Sequence, residues 1–151
     1  MTTSKILFIS DASREAFRSI SGLLRVVQKI QPSVRAIFLS FLSTFPEQDC
    51  GPLGPNTLFL LIQEEKEVLE LTKSLFAGMN IPYRLDFITM PNWQPLVDET
   101  ENGEHHLIIL QGKAQNIWSE RRLDFGMPTY TMDRPKSPVV LINEAEKAFP
   151  F

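Results

Sequence analysis

The sequence predicts an α/β fold in which a doubly wound, five-stranded parallel sheet is flanked by helices. Short runs of apolar residues recur along the chain, as expected for strands that are covered on both faces. Between these runs, apolar residues recur at steps of three and four, which indicates amphipathic helices. Strands that alternate with helices in this way are joined by right-handed crossovers. A chain of 151 residues suits one such domain, and we expect residues 1–151 to form it.

The first predicted strand and helix precede Pro32. Lys5 to Ser10 (KILFIS) is a short apolar run typical of a buried strand. Apolar residues from Ala16 to Ile30 then follow at helical spacing, and the proline ends this helix. Either Ser13 or Asp11 is suited to cap the helix, because both side chains accept hydrogen bonds from the N–H groups of a first turn.

A loop separates the second predicted strand from the second helix. Val34 to Phe41 (VRAIFLSF) is the strand, and Phe45 to Asn56 is a loop with several prolines and glycines that is long enough to cover a crevice. Leu58 to Met79 is predicted as one long helix. Its opening, TLFLLI, would suit a strand on its own, but helical spacing continues beyond it.

The second half of the chain supplies three more predicted strands. Tyr83 to Thr89 alternates like an edge strand, Leu107 to Leu110 (LIIL) runs directly towards a glycine, and Pro138 to Ile142 (PVVLI) closes the domain. The weaker segments are a short helix from Trp93 to Thr100, a mostly polar stretch from Lys113 to Lys136 with a short helix beginning near Pro128, and a tail from Glu144 to Phe151.

Charge and composition exclude several classes of partner. The net charge is -3, and acidic residues gather at Glu64 to Glu70 and Asp98 to Glu104, so no broad basic face is available for nucleic acid. The single cysteine, Cys50, cannot form an internal disulfide. The longest apolar run, Leu58 to Ile62, is far shorter than the roughly 18 residues that suggest a membrane span. We therefore expect a soluble, cytoplasmic protein.

The expected ligand site is the crevice between Asp11 and Gly112, at the ends of the first and fourth strands. In a doubly wound sheet, ligands bind outside the carboxyl ends of the strands, where the strand order reverses. Asp11 has two compatible interpretations, namely contact with a ligand and capping of the following helix. Gly112 has no Cβ, so backbone N–H groups next to it can approach a phosphate.

Three stretches of the sequence resemble the universal stress protein family. ILFISDAS contains Asp11 and Ser13, HHLIILQGK runs into Gly112, and SPVVLI contains the closing strand. The resemblance extends over nearly the whole chain. It implies a sheet with strand order 3-2-1-4-5, of the HUP or adenine-nucleotide alpha-hydrolase-like type, and a homodimer formed through the last strand. Many members of the family bind an adenine nucleotide, such as ATP or AMP, and the resemblance implies that this chain is built on the same plan.

The nucleotide loop of that family is incomplete in this sequence. Nucleotide-binding members share a Gly, two residues, a second Gly, nine residues, and then Gly with Ser or Thr. Gly112 matches the first position, but Gln115 stands at the second and Phe125 at the third. Gly126 would substitute only if the loop held one extra residue, and no hydroxyl residue follows it directly. The resemblance therefore implies weakened or lost ATP binding.

Cationic side chains in the same loop offer other donors for an anion. Lys113, Arg121 and Arg122 have the chemistry to replace backbone N–H groups on a phosphate, and the alternative is that these side chains are only solvated. If a nucleotide binds, the end of the second strand near Ser40 would face its adenine ring.

No motif in the sequence predicts catalysis or a metal site. The GxSxG elbow, the P-loop, the GxGxxG fingerprint and HExxH are all absent. His105 and His106 are adjacent at the start of a strand, so their side chains should point to opposite faces. We therefore expect neither a metal nor an enzyme. The alternative that stays open is an enzyme on the same scaffold with adenylation or hydrolysis chemistry, such as slow ATP hydrolysis.

The last predicted strand lies at an edge of the sheet, where an exposed apolar strand would otherwise favour aggregation. Pairing with its copy across a two-fold axis would cover this edge. The predicted dimer interface consists of Val139, Val140, Leu141 and Ile142.

Besides the enzymatic alternative, the sequence favours two functions. The first is a non-catalytic, dimeric stress-response or regulatory protein with weakened or lost ATP binding, which acts on a protein partner or an unusual small ligand. The second is an adenine-nucleotide-binding switch that uses the crevice between Asp11 and Gly112.

Overall fold

The computed structural model describes residues 4–42, 54–119, 122–125, 131–133 and 137–142. Three α-helices and eight strands follow one another along these residues. In chain order they are β1 (Lys5–Asp11), α1 (Arg14–Val27), β2 (Ser33–Ser40), α2 (Gly54–Gly78), β3 (Tyr83–Thr89), α3 (Gln94–Asn102), β4 (Leu107–Gln111), β5 (Trp118–Ser119), β6 (Arg122–Asp124), β7 (Thr131–Asp133) and β8 (Val139–Ile142). Two 3₁₀ helices, Gln28–Ile30 and Gly112–Ile117, follow α1 and β4.

The main sheet has the strand order β3-β2-β1-β4-β8, and all its neighbouring strands are parallel. This confirms the predicted fold class and order, since β8 is the fifth predicted strand. From β1 the chain moves outward to β2 and β3 on one side, and then returns to β4 on the other side. The order thus reverses between β1 and β4, where Ser10 pairs with both Phe38 and Gln111. A ligand crevice is expected at this point of the fold.

Helix α1 forms where the sequence predicts an amphipathic helix. Its buried residues, Ala16, Ile20 and Leu24, recur every fourth position and pack against one face of the sheet. The Ser13 side chain caps its first turn by accepting a hydrogen bond from the Ala16 N–H at 3.1 Å. The helix is continued to Ile30 by the 3₁₀ turn.

Helix α2 covers the same face of the sheet as α1. The segment that suited a strand on its own is helical, and the helix begins at Gly54 rather than at Leu58. Val68, Thr72 and Phe76 are buried at steps of four. The Phe76 ring stacks on Tyr83 of β3 with 5.0 Å between ring centroids. The four-residue spacing of these buried side chains is the helical pattern that the sequence also shows, and the segment before them continues the same helix.

The opposite face of the sheet is covered by α3 and by a small antiparallel sheet. Leu96 and Val97 of α3 join a core formed by alternate residues of β1, β2 and β4. Leu123 and Phe125 enter the same core from the small sheet, whose order is β5-β6-β7. These two side chains are fully buried.

The small sheet corrects the prediction for Lys113 to Lys136. That stretch contains a 3₁₀ helix and short strands, and the helix predicted from about Pro128 was wrong over Thr131–Asp133, which is strand β7. The two-residue step between Leu123 and Phe125 is a strand period that indicates one buried face. Residues 126–130, most of the Phe45 to Asn56 loop, and the tail from Glu144 lie outside the described residues.

No helix in the described ranges is long and apolar enough to cross a membrane.

Candidate functional site

The carboxylate of Asp11 joins the two loops that the sequence placed around the crevice. Its Oδ1 accepts a hydrogen bond from the Ser13 hydroxyl at 2.7 Å, and its Oδ2 accepts one from the Lys113 backbone N–H at 2.9 Å. Asp11 ends β1, and Lys113 lies one residue beyond Gly112 in the turn after β4. One side chain thus connects the carboxyl ends of β1 and β4.

Gly112 is required at this position for two separate reasons. Its φ of +63° lies in the left-handed region that non-glycine residues rarely adopt. In addition, a Cβ built on Gly112 would lie 2.5 Å from Oδ1 and 2.6 Å from Cγ and Oδ2 of Asp11. The close approach of carboxylate and backbone therefore depends on the missing side chain.

The structure decides between Asp11 and Ser13 as the cap of helix α1. Ser13, and not Asp11, caps α1, because the Ser13 oxygen accepts from Ala16. The same hydroxyl donates to Asp11, so the capping residue also orients the carboxylate. Asp11 is left as the group that closes the turn after β4.

Glu65 of α2 is a member of this site that the sequence did not single out. The hydroxyl of Ser40, which is only 5% exposed at the end of β2, donates to Glu65 Oε1 at 2.9 Å. Burial raises the pKa of Glu65, and the negative charges of Asp11 and Glu64 raise this pKa further. The Ser40 hydrogen bond and the Lys113 charge act in the opposite direction. The pKa of Glu65 therefore depends on charges from both sides of the crevice.

We expect Glu65→Gln to raise the free energy of unfolding at pH 7 and to change it little at pH 4. A carboxyl whose pKa is raised on folding binds more protons in the folded state, so its contribution is complete below the unfolded pKa of 4.5 and is lost as the pH rises through the folded value. Glutamine stays uncharged and retains an oxygen for the Ser40 hydroxyl. Urea unfolding of both proteins at the two pH values measures this difference.

The matched control is Glu70→Gln on the same helix, because Glu70 has a side chain that is 75% exposed. The Glu70→Gln variant should show no pH-dependent rise in the free energy of unfolding. A Glu65→Gln protein that is less stable than wild type at pH 7 would contradict the electrostatic account.

Helix α1 is tied to α2 beside the crevice. Arg14 forms ion pairs with Glu67 at 2.6 Å and with Glu64 at 3.5 Å. The described residues at and beside the crevice thus include two cations and four carboxylates. The cations are Arg14 and Lys113, and the carboxylates are Asp11, Glu64, Glu65 and Glu67. The local charge balance is therefore negative.

Solved structures match this arrangement of sheet and helices over more than nine-tenths of the chain. The universal stress protein UspA from Lactobacillus plantarum superposes with a TM-score of 0.57 at 14% sequence identity, and the match covers 94% of this chain and 99% of that one. The chain has the fold of the universal stress proteins. No family model matches the sequence, and no curated protein does either.

Two further universal stress proteins with this fold were solved with nucleotides. One is in complex with cAMP, with a TM-score of 0.52, 10% identity, and coverage of 95% of this chain and 98% of that one. The other, from Archaeoglobus fulgidus, is in complex with dAMP, with a TM-score of 0.50, 13% identity, and coverage of 93% and 98%. At such identities the match establishes the fold alone.

The remaining predicted site residues of this stress-protein fold are spread more widely than the sequence suggested. Lys113 and Gln115 lie in the 3₁₀ helix after β4, next to Asp11. Arg122 is an exposed residue of β6, in the small antiparallel sheet, and so lies outside the turn that holds Lys113. Arg121 and Gly126 lie outside the described residues.

Gln111, the last residue of β4, is a second polar group that the sequence did not single out. It is 1% exposed, and neither its amide nitrogen nor its amide oxygen has a hydrogen-bond partner among the described residues. Strand alternation places it on the α1 and α2 face with Ile109. A buried amide is costly to leave without partners, so Gln111 is a polar group that the surrounding structure has to satisfy.

Potential metal ligands are not grouped in the part of the chain that the structure describes, where no three His, Cys, Asp or Glu side chains could hold an ion together. The Nδ1 of His106 accepts a hydrogen bond from the Lys5 backbone N–H at 2.9 Å. His105 lies instead against Glu99 of α3, with 3.7 Å between Nε2 and Oε2.

Proposed function

We propose that this chain is a non-catalytic, dimeric regulatory protein of the stress-protein type, acting in the cytoplasm, whose crevice has weakened or lost ATP binding. The observation that carries the proposal is the hydrogen bond from the Lys113 N–H to Asp11. A backbone N–H after a glycine turn is the kind of donor that cradles a phosphate. In this chain the donor is directed at a carboxylate of the protein itself.

The charges around the crevice support the same proposal. A triphosphate would enter beside Asp11 and Glu65. The pKa of Glu65 is raised by burial and, to a smaller extent, by the negative charges of Asp11 and Glu64. The negative charges of the phosphates and of these carboxylates repel one another, most strongly where water is partly excluded. The Lys113 charge lowers the pKa of Glu65, so this cation would have to serve that carboxylate as well as any phosphate.

The serine hydroxyls support a non-catalytic role. Ser13 and Ser40 each donate to a carboxylate, which is the arrangement of a nucleophile with its base. However, the Ser13 oxygen also holds the Ala16 N–H as a helix cap, and Ser40 is 5% exposed. Neither oxygen is presented to a substrate in the way that a reacting group requires.

A thermal shift experiment with ATP tests this proposal. A ligand that binds only the native state raises stability by about 2.7 kcal/mol at a concentration of 100 times its dissociation constant. We expect no rise in melting temperature with ATP at micromolar concentrations, with or without Mg²⁺. Stabilisation by ATP in that range would contradict the proposal.

The second candidate is a switch that holds an adenine nucleotide of lower charge in the same crevice. The observations that favour it are the intact turn at Gly112 and the cAMP and dAMP complexes of proteins with this fold. A ligand with one phosphate meets less repulsion from Asp11 and Glu65 than ATP does.

The same assay with AMP and cAMP decides between the two candidates. A rise in melting temperature at micromolar AMP or cAMP, abolished in Gly112→Val, would support the switch. Calorimetry of the folded variant gives its dissociation constant directly. A dissociation constant that Gly112→Val leaves unchanged would reject this crevice as the site.

The proposed dimer uses strand β8. This strand pairs with β4 on one side, and it is the edge strand of the main sheet at that end. Val140 is 43% exposed. Pairing of β8 with its copy would cover this side chain and extend the sheet across a two-fold axis.

We expect Val140→Lys to shift the protein from dimer to monomer in light scattering at micromolar concentration, because a charge on the edge opposes strand pairing. Val26→Lys is the matched control, since Val26 is 59% exposed on α1, away from the edge strand. A wild-type protein that is monomeric at these concentrations would contradict the dimer.

A further inference from the structure

Strand β3 forms the edge of the main sheet opposite to β8. Among the described residues, β2 is the only strand that pairs with it. Tyr83 and Phe87 are 39% and 40% exposed, so the helices leave this edge partly uncovered. The side chains of Arg84 and Asp86 are 76% and 41% exposed. An edge strand of seven residues with such exposure is a template for pairing with another strand.

The direction of the β3 backbone groups is fixed by their bonds to β2. The Pro82 carbonyl accepts from the Val34 N–H at 2.9 Å, and the Met90 N–H donates to the Ser40 carbonyl at 2.9 Å. Successive residues of a strand direct their backbone groups to opposite sides, so the even-numbered residues of β3 face β2. The N–H and C=O groups that face outward are those of Tyr83, Leu85 and Phe87.

The side chains of β3 alternate between the two faces of the sheet. Tyr83 stacks on Phe76 of α2, so the odd-numbered side chains of the strand lie on the α2 face. Ile88 belongs to the core beneath α3, so the even-numbered side chains lie on the α3 face. The α2 face of the edge thus carries two aromatic rings, and the α3 face carries the opposite charges of Arg84 and Asp86.

One antiparallel register makes this edge complementary to its own copy. When two β3 strands pair antiparallel about Leu85, Arg84 of each copy lies opposite Asp86 of the other. In the same register Tyr83 lies opposite Phe87, and the outward backbone groups of the two strands face one another. Opposite charges and aromatic rings directly across are pairs that stabilise a ladder. Arg84 is free to turn to the other copy, because its pair with Asp86 of its own chain is exposed, spans 3.8 Å and is worth little.

The neighbouring symmetric registers are disfavoured by charge. Pairing centred on Arg84 places the two Arg84 side chains opposite each other, and pairing centred on Asp86 does the same for two carboxylates. Like charges directly opposite destabilise a pair of strands. A slip by one residue turns groups that are bonded to β2 towards the partner. The charges of β3 therefore select the register about Leu85 and favour a second copy of this chain as the occupant of the edge.

We propose that β3 is a self-association edge on which a second copy of this chain pairs antiparallel about Leu85. The proposal does not rest on the proposed dimer, because β8 lies at the other edge of the sheet. Two strands of seven residues form a small interface, so we expect a dissociation constant on the order of 100 µM. Above this concentration, β3 pairing would join β8 dimers into one continuous sheet.

Amide hydrogen exchange in the Val140→Lys protein tests the register without association through β8. In dilute protein the outward N–H groups of Tyr83, Leu85 and Phe87 should exchange faster than those of Arg84 and Asp86, which face β2. Raising the concentration from about 10 µM to about 1 mM should slow exchange about fourfold at the three outward positions, because most of the protein is then paired. The positions that face β2 should not change.

The outcomes of this experiment separate the two proposed interfaces. Exchange that does not depend on concentration at the outward positions would overturn β3 pairing and leave the edge to a different partner. Protection centred on another residue would overturn the register. Neither outcome bears on β8, whose dimer is tested by the mass of the wild-type protein at micromolar concentration.

A charge reversal at Arg84 tests the contacts across the pair. In the Val140→Lys protein, Arg84→Asp should weaken association at least about tenfold, because carboxylates then lie opposite each other at both ends of the pair. Arg18→Asp is the matched control on α1, where an exposed side chain undergoes the same change of charge. Sedimentation equilibrium measures both dissociation constants. Equal weakening by the two substitutions would show an effect of net charge alone and would overturn the proposed contacts.

The double variant Arg84→Asp/Asp86→Arg restores opposite charges across the pair. Position 84 is the register partner of Arg35, so Arg35 keeps an acidic neighbour there as well as Glu99. We expect association to return to within about threefold of the parent protein. A folded double variant, as judged by circular dichroism, that associates as weakly as Arg84→Asp would overturn the register. The hydrogen-exchange result decides the proposal independently of whether this variant folds.

Discussion

Replacement of Gly112 by alanine is expected to lower the free energy of unfolding by about 2 kcal/mol. This is the typical cost of holding a non-glycine residue in the left-handed region. The φ of +63° imposes this strain whatever the surrounding space. The new Cβ would also meet the Asp11 carboxylate at 2.5 Å, so the hydrogen bond from Lys113 to Asp11 has to lengthen or break. Urea unfolding measures the loss as a lower midpoint with an unchanged slope.

Gly22→Ala is the matched control for this prediction. Gly22 is exposed within α1, and a Cβ there meets no atom within 4 Å. Alanine in a helix interior should stabilise the protein by roughly 0.5–1 kcal/mol relative to glycine. The opposite signs at two glycines would isolate the effect of backbone conformation. A Gly112→Ala protein as stable as wild type would contradict the account of this turn.

The double variant Asp11→Ala/Gly112→Ala separates the collision from the backbone strain. Without the carboxylate the new Cβ has space, and only the strain of the positive φ remains. Residues in contact couple non-additively, so the double variant should lose less stability than the two single variants together. Strict additivity would show that the collision contributes nothing.

Replacement of Arg35 by leucine is expected to cost about 3 kcal/mol, the lower end of the range for removal of one partner from a buried ion pair. The Arg35 side chain is 17% exposed and holds both Asp86 and Glu99. Its loss leaves the Glu99 carboxylate, 21% exposed, facing a second carboxylate without a cation between them. Unfolding in urea at pH 7 gives the magnitude.

Arg84→Leu is the control for this prediction, because Arg84 pairs with Arg35 in register on the neighbouring strand. Its side chain is 76% exposed and lies 3.8 Å from Asp86. An exposed pair of this kind contributes at most about 1 kcal/mol. Similar losses in the two variants would show that burial does not distinguish these arginines.

The main sheet could be predicted because each strand carries its own signal. The runs at Ile6 to Ile9 and Leu107 to Leu110 are apolar throughout, and burial on both faces of a parallel sheet requires this pattern. The small antiparallel sheet could not be predicted in the same way. Its strands β5, β6 and β7 are two or three residues long and are formed by pairing with one another, which no local pattern records.

The centre of the crevice was also accessible from the sequence. The position of Asp11 after one strand and Gly112 after another, with a strand order that reverses between them, brings the two loops together. The sequence could not show which of Asp11 and Ser13 caps α1, because both residues are equally suited to cap a helix. Only the geometry shows that Ser13 caps and Asp11 closes the turn.

Local patterns of apolar and turn residues thus determined the order of strands and helices, the buried faces, and the glycine at the start of the turn after β4. Tertiary structure alone decided which polar side chains meet. Glu65 is one carboxylate within an acidic run, and it contacts Ser40 because α2 lies across β2 with that side inward. Arg35 and His105 meet Glu99 from different elements. Such contacts depend on helix rotation and strand register, which are set by packing of the whole core.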